Sequence, residues 1–132
     1  MERSRRSPAR RKRMEARVKV WLEKDGQYVF GFGLSEILKA VEAAGSIKAA
    51  ADLLGKSYRH VWGRIKKAEA ALREPLVNTR VGGRGTARSS LTALAGRLVA
   101  DYDALRRRMF DVVRQEFSSR FETISEPPTT GG

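Results

Sequence analysis

The stretch SIKAAADLLGKSYRHVWGRIKKAEAALRE, residues 46–74, decides how the chain is read. Ser46 can cap a short helix, Gly55 can end it in a left-handed turn, and Ser57 can cap a second, longer helix. A short helix, a three-residue turn and a longer helix make a helix-turn-helix pattern. The small side chains of Ala50 and Ala51 permit a close crossing, and Leu53, Leu54, Val61, Ile65, Ala68 and Leu72 fall at helical spacing on inward faces. Trp62 and Tyr58 are ambiguous: the core is the favoured place for Trp62, while Tyr58 at the helix start can reach a base or a phosphate. Outward on the second helix stand Tyr58, Arg59, His60, Gly63, Arg64 and Lys67, a face with donors, positive charge and one bare backbone position, which suits a DNA groove. An ordinary helical hairpin with a solvated basic face has the same local pattern, so the flanking sequence has to decide.

Downstream, Pro75 bars the helix from continuing and residues 76–80 resume in extended form. Gly82, Gly83 and Gly85 follow within a short span, and residues 87–91 return as a second extended run. Arg80, Arg84 and Arg88 recur along this hairpin, so it is expected to be a basic wing. A nucleotide-binding phosphate loop is a much poorer fit, because no GxxxxGK[ST] pattern is present and the strand-to-helix setting is wrong. Thr92 can then cap a final helix from residue 93 to about 117, roughly 35 to 40 Å long at 1.5 Å per residue. Leu98, Tyr102, Leu105, Met109 and Val112 form its apolar stripe, widened by Val99, Phe110, Val113 and Phe117. Such a helix outruns a domain of this size, and its distal apolar residues call for another surface, most simply a second copy of the chain.

Upstream, Val18, Val20 and Leu22 alternate with Arg17, Lys19 and Trp21, the period of a half-buried strand across residues 16–23. Asp25-Gly26 suits a tight turn, and residues 27–30 return as the second strand. A support helix begins at Gly33 or Leu34, carries Leu34, Ile37, Leu38 and Val41 on one face, and closes at Gly45. Ahead of all this, residues 1–14 hold Arg3, Arg5, Arg6, Arg10, Arg11, Lys12 and Arg13 against Glu2, half of the net charge of +12. Like charges at this density repel, so a disordered basic arm is expected there.

The 132 residues have room for one domain with tails, expected at residues 15–117 between the basic arm and a flexible tail at 118–132. A balance of 27 Lys and Arg against 15 Asp and Glu attracts polyanions. With no cysteine and one histidine, thiolate chemistry and zinc fingers are excluded, and no acid–base pair, nucleophile with its base or metal set can be assembled. The chain is therefore expected to be no enzyme, to hold no cofactor or metal, and to have no membrane segment.

With these elements in order, the chain resembles the DNA-binding half of the molybdate-responsive ModE-type transcription regulators. The residues that carry the resemblance are Gly45, Ser46, Ile47, Ala50, Ser57, Tyr58, Trp62, Ile65, the wing glycines, Leu91, Thr92, Arg97, Leu98 and Tyr102. Ala50, Ala51, Ser57, Ile65 and Glu69 also resemble the winged helix of LysR-type regulators. The fold this implies is a mainly α winged helix-turn-helix with small β hairpins and a long C-terminal dimerisation helix. The function it implies is that of a cytoplasmic, nucleoid-associated transcription regulator binding double-stranded DNA as a homodimer on an inverted-repeat operator. Carried onto this chain, base recognition falls on Tyr58, Arg59, His60 and Arg64, with Ser57 at the helix start. Lys48, Lys67, Arg80, Arg84 and Arg88 are expected to hold phosphates. Two departures stand out: no molybdate-binding domain is expected here, hence no effector domain, and Lys56 occupies a turn position that is usually apolar. The charge equally fits an architectural protein that coats DNA with little sequence preference.

Overall fold

The computed structural model describes residues 14–81 and 87–125. The basic arm up to residue 13, the wing loop at 82–86 with Arg84, and residues 126–132 lie outside the described residues. Residues Val20–Arg106 form one compact unit, and the described residues 14–19 and 107–125 belong to another.

The larger unit opens with an antiparallel hairpin, β1 (Trp21–Lys24) and β2 (Gln27–Gly31). Its loop residues Asp25 and Gly26 have φ of 53° and 78°, the two positive values that a two-residue hairpin turn of matching twist requires. The register slips between Leu22 and Glu23, a bulge that leaves Val29 without a cross-strand partner. The alternation of the strand is broken there, and the adjacent Val29 and Phe30 are both buried. The strand begins at Trp21 and not at residue 16, because only from Trp21 onward does β2 supply partners.

Three helices follow: α1 (Phe32–Ala44), α2 (Ile47–Leu54) and α3 (Tyr58–Leu72). Gly45 at φ 85° and Gly55 at φ 67° end α1 and α2 in the left-handed conformation. The hydroxyl of Ser46 accepts from the Ala49 amide and that of Ser57 from the His60 amide, each at 3.0 Å. Ala50 and Ala51 are buried at the crossing, and Val61, Ile65 and Ala68 face them from α3. Leu34, Ile37, Leu38 and Val41 of α1 complete the core with Phe30, Leu76, Ala95 and Tyr102.

Leu53 departs from expectation. It is 65% exposed, because a helix of two turns can turn only one stripe inward and Ile47, Ala50, Ala51 and Leu54 take it. Leu53 lies about 100° from Leu54 around the axis.

The second hairpin pairs β3 (Val77–Val81) with β4 (Ala87–Leu91), bringing Arg80 opposite Arg88. Thr92 accepts from the Ala95 amide at 3.2 Å and starts α4 (Ala93–Ser125). The helix runs past the expected end near Phe117. Phe117 and Phe121 stack at 5.4 Å and Arg120 pairs with Glu116, so spacing of four residues supports the turns that composition alone made polar. Residues 118–125 are therefore helix and not tail. Among the described residues no helix is long and apolar enough to cross a membrane.

Within the larger unit α4 is tied to the rest by polar contacts. Tyr102 is buried edge-to-face against Phe30 and donates its hydroxyl to the Val20 carbonyl at 2.8 Å. Asp103 accepts from Ser35 and pairs with Lys39 at 2.6 Å. The hydrogen bond to Asp103 raises the Lys39 pKa, and burial raises that of the Tyr102 phenol. The folded state thus holds both protons more tightly than the unfolded chain does. Their stabilising contribution is complete below about pH 10 and is lost as pH rises through the raised values. Urea midpoints should stay level up to about pH 10 and then fall, and Tyr102→Phe should make that fall shallower. The element order and both hairpins are those of a winged helix-turn-helix with a long C-terminal helix.

Candidate nucleic-acid interface

Helix α3 projects side chains in three ridges, set by the 100° turn per residue. Arg59, Gly63 and Lys67 run down the middle of the face opposite Val61, Ile65 and Ala68. His60 and Arg64 flank one side, and Tyr58, Trp62 and Lys66 the other. Arg59, His60 and Lys67 are exposed and Tyr58 is 51% exposed, so the middle and N-terminal end of the helix are open to solvent. Among the described residues the Ser57 hydroxyl meets only the His60 amide, which its oxygen accepts, so its proton is available to an outside acceptor.

Arg64 is placed differently from the others. It is half-buried, and its guanidinium lies so close to Gly33 that a Cβ built there would stand 3.3 Å from Nη2. Its head therefore sits beside the start of α1, on the flank of the ridge carrying Arg59. Lys48 is exposed on α2 and Lys56 is exposed in the turn. Arg80 and Arg88 are exposed on the wing strands.

Trp62 corrects the sequence reading: it is 43% exposed and not part of the core. One residue beyond Val61, it turns about 100° away from that buried position and reaches the outward ridge. Lys66 Nζ lies 5.8 Å from its ring centroid, close enough for a cation–π contact. The signal was in the sequence as an aromatic and a lysine four residues apart.

The carboxylate of Glu69 joins the helix to the wing. Its Oε2 accepts from the Leu76 and Val77 amides at 2.7 and 3.2 Å, while Oε1 pairs with Lys66 at 3.1 Å. The other wing strand is held by the Ser89 amide donating to the Gly45 carbonyl at 2.7 Å and the Leu91 amide donating to Glu42. The Thr92 hydroxyl donates to the Pro75 carbonyl at 2.9 Å and closes the root of the hairpin. These bonds fix the wing strands beside α3, so Arg80, Arg88 and the outward face of the helix keep one geometry. Glu69→Gln retains an acceptor oxygen but loses the charge, and should lower unfolding stability by about 1 kcal/mol in urea titrations.

Arg80 and Arg88 occupy directly opposed positions on the wing. Like charges so placed repel, and an external anion between them would relieve that repulsion. Among the described residues no group of three or more His, Asp or Glu is arranged to hold a metal ion.

Residues 33–96, from the start of α1 through the wing to the first turn of α4, match the model of bacterial regulatory helix-turn-helix proteins of the lysR family. The match takes in all three helices α1–α3, both wing strands and the start of α4. The chain is 32% identical over 83 residues to the transcriptional regulator ModE of Yersinia pestis, covering 61% of this chain and 32% of that one. It is 35% identical over 98 residues to the molybdenum transport protein ModE of Azotobacter vinelandii, covering 73% of this chain and 33% of the relative. The chain thus spans about a third of the length of the curated relatives it matches. The crystal structure of CbnR, a LysR family transcriptional regulator, aligns with a TM-score of 0.46 and 27% identity over 70% of this chain and 29% of that one. Within the matched residues, α3 is the second helix of the helix-turn-helix that α2 opens.

Proposed function

We propose that this chain is a sequence-specific DNA-binding transcription regulator that acts as a homodimer on an inverted-repeat operator in the bacterial cytoplasm. The observation that carries the reading is the open basic face of α3, presented beside arginine-bearing wing strands within residues that match the lysR-family helix-turn-helix model. Arg59, on the middle ridge, is suited to pair bidentately with guanine in the major groove, and Tyr58, His60 and Arg64 line its sides. Ser57, Lys48, Lys67, Arg80, Arg84 and Arg88 hold phosphates and set the docking angle.

Dimerisation rests on α4. Leu105 and Val112 are exposed and Met109 is half-buried at a four-three spacing, the seam a second helix would cover. Two copies related by a twofold axis would read two half-sites about one helical turn apart, which is why the operator is expected to be an inverted repeat. Truncation after Leu105 should convert dimers to monomers in sedimentation, and an intact dimer would remove α4 from the interface.

The net charge of +12 also favours a second reading, an architectural protein that coats DNA. Selection of bound duplexes from a random pool separates the two. A regulator enriches a symmetric consensus, whereas a coating protein returns the pool unchanged.

A further inference from the structure

We infer that Trp62 is a specificity-determining residue of the DNA-binding face, and that it reads the C5-methyl groups of thymine. This rests on the proposed DNA-binding role of α3. The chemistry available on that helix limits what it can distinguish. Adenine is read bidentately by Asn or Gln, the cytosine amino group by Asp or Glu, guanine by Arg or Lys, and thymine by apolar contact with its methyl. From Ser57 to Lys67 the sequence contains no Asn, Gln, Asp or Glu. Guanine through Arg59, and thymine through an apolar surface, are therefore the best-matched readings left to this face. The apolar surface is the indole of Trp62, with the ring of Tyr58 one turn before it; the two are 43% and 51% exposed.

The indole is also held in place. Lys66 stands over the ring at 5.8 Å and is itself tied to Glu69 at 3.1 Å, and Glu69 is bonded to the wing root. Lys66 occupies one side of the ring and leaves the remainder to a ligand. Next to it Gly63 carries no side chain, and a Cβ built there would meet nothing within 4 Å. The missing side chain lets the helix backbone approach the base edges, bringing an indole on the flanking ridge within reach of the groove. Arg59 and Trp62 are separated by about 4.5 Å along the axis, one to two base-pair steps. The thymine should accordingly lie within about two base pairs of the guanine that Arg59 reads.

The test uses the full chain and a duplex selected by it from a random pool, with each thymine of one half-site replaced in turn by deoxyuridine, which removes only the methyl. Affinity should fall about fourfold at one or two positions. The loss should vanish in Trp62→Ala and persist in Trp62→Phe. In Trp21→Phe, where Trp62 is the sole tryptophan, the duplex should also shield the indole from acrylamide quenching. Deoxyuridine duplexes that all bind like the parent, a deoxyuridine loss that survives in Trp62→Ala, or an indole equally quenched with and without duplex would each overturn the inference. A pool that yields no enriched sequence would bring down the function reading itself, and the role of Trp62 with it.

Discussion

Replacing Tyr102 by alanine should lower the unfolding free energy by about 3–5 kcal/mol, the usual cost of emptying a large aromatic site. Its ring lies fully inside the core against Phe30, and its hydroxyl meets the Val20 carbonyl just ahead of β1. It therefore connects the first hairpin to α4 while filling the space between them. Tyr102→Phe keeps the ring and removes only that hydrogen bond, so it should cost about 1 kcal/mol. Urea denaturation of the two variants separates packing from hydrogen bonding. Similar losses in both would mean that the hydroxyl, and not the buried ring, holds the unit together.

Arg59→Ala should cost about 1–3 kcal/mol of discrimination at one base pair of each half-site, roughly 5- to 150-fold, with binding to random duplex little changed. Arg59 is exposed on the ridge farthest from Val61 and Ile65, where a guanidinium would meet base edges in the proposed complex. Arg80→Ala on the wing should instead weaken all sequences alike and flatten the dependence of log affinity on log salt by about 1. Binding isotherms at several salt concentrations for both variants check the division. The same pattern from both would show that base reading and phosphate holding are not divided between helix and wing.

Much of the fold was legible because local chemistry carried it. Ser46, Gly55 and Ser57 mark helix ends through their own hydroxyls and backbone angles, and Asp25-Gly26 supplies the turn its hairpin needs. Errors arose where two local patterns were equally good. In α2, Leu53 satisfies a helical spacing from Ala50 as well as Leu54 does from Ala51, and only the packing of α1 selects the stripe. Trp62 is large and apolar, which favours the interior, yet its angle on α3 places it outside. Glu69 gave no sign of its task, since its partners Leu76 and Val77 lie beyond the end of α3 and meet it only once the chain has turned at Pro75. The extension of α4 to Ser125 depends on Phe117–Phe121 stacking and the Arg120–Glu116 pair, which a polar composition hides. For the interface, the basic residues were readable as a face, but the half-buried seat of Arg64 beside Gly33 follows from tertiary packing alone.

The most direct measurement is the affinity of the purified chain for a selected duplex and for random duplex of equal length, at physiological salt, in the parent chain and in Arg59→Ala. With α3 against base edges, the parent should prefer its site by about 10³-fold or more, and the substitution should remove much of that preference. A ratio near one in the parent, or a large ratio untouched by Arg59→Ala, would contradict the reading of α3 as the helix that recognises sequence.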